Sequence, residues 1–62
     1  MTQEIEELIN HWINGNLEHV VSVLENETRA FCVAFTFTMS DEIAKGRLFE
    51  SDRRRLIHIL CK

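Results

Sequence analysis

The chain has 62 residues, 45% of them hydrophobic and 27% charged, with no proline, two glycines and a formal charge of −3. At this size a folded chain buries only about 60% of the surface its unfolded form exposes. The length therefore allows one small helical domain over residues 1–62 and excludes a conventional catalytic domain with a deep cleft, while the composition excludes low-complexity disorder and collagen-like repeats.

Ile5, Leu8, Ile9, Trp12 and Ile13 recur at helical spacing and predict an amphipathic first helix. Thr2 is its expected N-cap. Glu4, Glu6 and Glu7 fall in the first turns, where the helix dipole favours anions. Asn14-Gly15 supplies the stop, with a glycine free to take positive φ. Asn16 is the expected cap of a second helix from Leu17 to Glu25, with Leu17, Val20, Val21 and Leu24 on its inner face. Asn26 then closes or kinks it and is a candidate cap for the next helix, with Glu27 in the first turn of that helix.

From Ala30 to Met39 two periods compete. At period two, Phe31, Val33, Phe35, Phe37 and Met39 alternate with smaller residues, a strand pattern. At period 3.6, Phe31, Phe35, Thr38 and Met39 form one stripe, and Val33 and Phe37 form a second on another face. The helix is preferred, because no other segment reads as a strand and a lone strand cannot satisfy its own backbone. The alternative is an α+β fold in which residues 30–38 pair as a strand across a dimer. Ser40-Asp41-Glu42 restarts or continues this helix as far as Lys45, and Gly46 ends it. Leu48 and Phe49 are expected to fold back on the core. Ser51-Asp52 is the expected cap of a last helix, Arg53 to Leu60, facing inward through Leu56, Ile57 and Leu60.

The expected fold is thus all-α, a compact bundle of three to four short helices completed by self-association. Its expected core is Ile5, Leu8, Ile9, Trp12, Val20, Leu24, Phe31, Phe35, Leu56 and Leu60. Phe31, Val33, Phe35, Phe37 and Met39 give more apolar surface than one side of a small helix buries, and are assigned to self-association.

Charge is unevenly divided. Residues 1–31 hold Glu4, Glu6, Glu7, Glu18, Glu25 and Glu27 against Arg29 alone, whereas residues 32–62 hold six basic residues against four acidic ones. The acidic half of one copy can therefore pair with the basic half of another. Arg53, Arg54 and Arg55 read either as an anion patch for an acidic protein partner or a phosphate, or as a solvated first helical turn paired with Glu50 or Asp52, where three cations oppose the helix dipole. A small DNA-binding regulator built on the same patch is the alternative, disfavoured because Glu18, Ser22 and Glu25 face outward on the second helix and repel phosphate.

No catalytic residue is assigned and no enzyme activity is expected. Glu6-Glu7 and Asp41-Glu42 are read as first-turn acids, and neither cysteine pairs convincingly with a histidine as a nucleophile. His58 and Cys61 are spaced i, i+3, but with His11, His19 and Cys32 they make no zinc motif, so neither metal nor cofactor is expected. Two cysteines and an acidic first segment predict a cytoplasmic chain without a disulfide. The longest uncharged run, Ala30–Ser40, is eleven residues, against about 20 for a membrane span.

Overall fold

Four helices make up the described residues, 2–61 of the computed structural model: α1 (Thr2–Ile13), α2 (Leu17–Glu25), α3 (Arg29–Ala44) and α4 (Glu50–Leu60). None of the described residues is in a strand, so the strand alternative for 30–38 is overturned. The Thr2 side chain, the expected cap of α1, lies outside what is described.

Two helix ends share one stop. After α1, Gly15 takes φ 86°, its N–H bonds the Trp12 carbonyl at 3.0 Å, and the Asn16 N–H bonds that of His11 at 2.8 Å. After α3, Gly46 takes φ 80°, its N–H bonds Ile43 O at 3.0 Å, and the Arg47 N–H bonds Glu42 O at 2.9 Å. Both are Schellman motifs, which satisfy the last carbonyls and require a residue comfortable at positive φ. The hydrophobic contact that often closes this motif is replaced here by polar pairs. Asn16 Nδ2 lies 3.2 Å from His11 Nδ1, and Arg47 Nε lies 3.2 Å from Glu42 Oε2. Asn16 occupies the N-cap position of α2 but makes no side-chain cap bond there, since its amide is turned back to His11.

The cap of α3 is Thr28 and not Asn26; its hydroxyl accepts from the Phe31 N–H at 3.2 Å. Glu27 consequently lies before the helix. Thr28→Ala is expected to lower stability by about 1 kcal/mol in urea denaturation. Within α3 the hydroxyls of Thr36, Thr38 and Ser40 donate to the carbonyls of Cys32, Ala34 and Thr36, four residues back. That bonding satisfies the three hydroxyls within the helix's own backbone. Because α3 continues through Asp41-Glu42, these acids end a helix instead of starting one. Glu42 is buried, at 8% exposure, against Arg47.

α3 packs on α1 and α4, and α2 packs on both of those in turn. The core gathers Ile5, Leu8, Ile9 and Trp12 from α1, Val20 and Leu24 from α2, Phe31, Phe35 and Met39 from α3, Leu48 from the loop, and Leu56 from α4. Phe35 is fully enclosed, its ring centroid 6.2 Å from that of Trp12.

The expected register of α4 is corrected. The helix begins at Glu50, after Phe49, whose N–H donates to Asp52 Oδ2 at 2.9 Å. The other carboxylate oxygen, Oδ1, accepts from Trp12 Nε1 at 3.0 Å, across 40 residues of sequence. One carboxylate therefore caps α4 and ties it to α1. Turning Asp52 inward brings Leu56 and then Ile59 inward at i+4 and i+7. Ile57, five residues on from Asp52 and about 140° around the helix, is left outside. Ile57 and Leu60 are accordingly exposed, not core, and Phe49 stays in solvent.

Candidate interaction surface

α3 is apolar on two opposite faces. The residues assigned to self-association divide between them: Phe31, Phe35 and Met39 point into the chain's own core, while Val33 and Phe37 stand 48% and 70% exposed. Of the five, only Val33 and Phe37 are open to solvent. Ala30 and Ala44 are exposed on the same helix, and small residues of this kind let another helix approach closely.

Beside this outer face runs an open groove of about 640 Å³. Its floor and walls come from Leu24, Cys32, Val33, Thr36, Ile59 and Leu60; Glu25, Glu27, Arg29 and Cys61 edge it. Cys32 is half-buried and its thiol reaches the Leu24 carbonyl at 3.6 Å, whereas Cys61 is exposed; both are free thiols. On the other flank of α3, Ile5, Glu6, Ala34, Thr38, Asp41, Glu42 and Lys45 line a smaller, more polar hollow of about 390 Å³.

The three arginines are not equivalent. Arg53 is half-buried, with Nη1 3.6 Å from Glu50 Oε2, and its buried Nε has no hydrogen-bond partner. Arg54 and Arg55 are exposed, and among the described residues neither joins an ion pair. The earlier start of α4 places Glu50 and Asp52 in its first turn and moves the arginines into the second. The dipole, which acts mainly in the first turn, now favours the acids that occupy it.

His11 and His19 sit ring to ring at the α1–α2 corner, centroids 4.5 Å apart. Among the described residues no three His, Cys, Asp or Glu side chains gather as a metal cluster. Nor is any described helix long and apolar enough to cross a membrane. The exposed Val33–Phe37 stripe was readable from helical spacing, but the groove was not, because Ile59 and Leu60 reach it only through the roll of α4. The chain matches no protein-family model, no curated protein and no solved structure.

Proposed function

We propose that this chain is a small protein–protein interaction module that works as a homo-oligomer, with its arginine-bearing helix turned toward acidic surface. The observation that carries the reading is the pair Val33 and Phe37. They form an apolar stripe at helical spacing on the outer side of a helix whose inner side is already filled by Phe31, Phe35 and Met39. A helix apolar on opposite faces suits one with neighbours on both, and within a single chain α3 buries only one of the two. A large exposed aromatic on such a stripe is also a residue type enriched at the cores of interfaces. The unpaired Arg54 and Arg55 support the polar half of the reading, since an exposed guanidinium fork suits carboxylate or phosphate.

Sedimentation equilibrium of the purified chain tests this. A dimer or larger species is expected at micromolar concentration. A monomer persisting to about 100 µM, where the association free energy falls short of about 5.5 kcal/mol, would overturn the reading.

A further inference from the structure

We infer that the partner covering α3 is a second copy seated reciprocally. Phe37 of each chain enters the groove of the other across a two-fold axis, and Arg54 of each pairs with Glu25 and Glu27 of the other. This rests on the self-association proposed above and supplies its surface and the acidic partner of one arginine.

Knob and hole lie side by side on one face, as an isologous contact requires. Phe37 is one turn along α3 from Val33 and adjacent to Thr36, and both of these line the groove. A two-fold axis perpendicular to α3 at the level of Phe35 reverses the direction of the helix. It therefore sets Phe37 of one copy against Val33 of the other, at the mouth of the other groove.

The charges match under the same operation. Because the groove joins Leu60 and Cys61 to Arg29 and Val33, the end of α4 lies beside the start of α3, and the two helices run antiparallel. Glu25 and Glu27 edge the groove at that end, outnumbering Arg29. Arg54 precedes Leu60 by six residues, about 9 Å toward the opposite end. Exchange of ends by the axis brings Arg54 of one copy to Glu25 and Glu27 of the other. Within their own chain none of these three is ion-paired among the described residues.

Size makes the same demand. A standard interface covers about 800 Å² per partner, roughly a fifth of the 4411 Å² this chain exposes. The outer strip of α3 alone, about 24 Å long and one helix wide, falls short of that. The contact has to spread onto the groove and α4, where the charges stand.

The test is sedimentation of the full chain carrying Arg54→Glu, of the chain carrying Glu25→Arg with Glu27→Arg, and of an equimolar mixture, with circular dichroism to establish folding. All three positions are exposed or groove-edge residues outside the core. Each variant alone is expected to self-associate about tenfold more weakly or worse, because like charges then face each other. The mixture is expected to recover wild-type affinity as a heterodimer, and Phe37→Ala is expected to abolish association in either background. Variants that dimerise as the wild type does, or a mixture with no preference for the heterodimer, would overturn the reciprocal arrangement while leaving self-association standing. A monomeric wild type would instead overturn the module reading itself.

Discussion

Phe35→Ala is expected to remove the folded state or nearly so. The ring is wholly enclosed in the core and tilted against that of Trp12 from α1 at a 6.2 Å centroid separation. Truncating a buried phenylalanine costs about 3–5 kcal/mol through lost transfer energy and the cavity left behind. A chain of this length has about 3–9 kcal/mol of stability in all. Thermal melting followed by circular dichroism should show a transition displaced far downward or no cooperative transition at all. Phe37→Ala, two residues on, should change single-chain stability by no more than about 0.5 kcal/mol, as exposed substitutions usually do. The contrast is diagnostic, because in a strand residues 35 and 37 share a face and would respond alike. Equal losses from the two variants would contradict the helix.

Asp52→Ala carries the second large effect. Its carboxylate serves two donors at once, the backbone N–H of Phe49 and the indole N–H of Trp12, at 2.9 and 3.0 Å. Losing the cap costs about 1 kcal/mol. Leaving the indole N–H unsatisfied in a residue 3% exposed adds about 1–3 kcal/mol. A fall in Tm of roughly 10–20 °C follows for a chain this short. Asp52→Asn should fall between wild type and Asp52→Ala, because an amide offers one carbonyl oxygen and would turn its NH₂ toward one of the two donors. A Tm for Asp52→Ala within about 2 °C of wild type would show that the carboxylate does not hold α1 to α4.

How far the fold could be read in advance follows from where its determinants lie. α1 and α2 are set by local stripes and an Asn-Gly stop, so their bounds follow directly, as does the burial of Ile5, Leu8, Ile9, Trp12, Val20 and Leu24; Ile13, on the expected inner stripe, is 40% exposed, and Leu17 and Val21 are half-buried. α3 is ambiguous for a physical reason. Apolar residues on two opposite helical faces satisfy period two as well as period 3.6, and the helix was favoured by the lack of a second strand and of a turn dipeptide flanking the run. That same two-stripe arithmetic already separates Phe31, Phe35 and Met39 from Val33 and Phe37. The roll of α4 was out of reach, because it depends on a hydrogen bond between two polar atoms 40 positions apart. Leu60 and Ile57 were therefore expected inside, and Met39 was missing from the expected core, whereas Leu48 folds back on it as expected. Ser40-Asp41-Glu42 resembles a helix start closely enough to conceal that Glu42 is a buried acid paired with Arg47 beyond the helix end.

Trp12 is the chain's one tryptophan, and its indole nitrogen is bonded to the first turn of α4. The molecule thus contains its own optical gauge. Indole emission depends on polarity and hydrogen bonding around the ring, so its wavelength registers whether α4 is seated on α1. Release of α4 from α1 is expected to move that emission, whereas a change confined to the exposed face of α3 is expected to leave it in place.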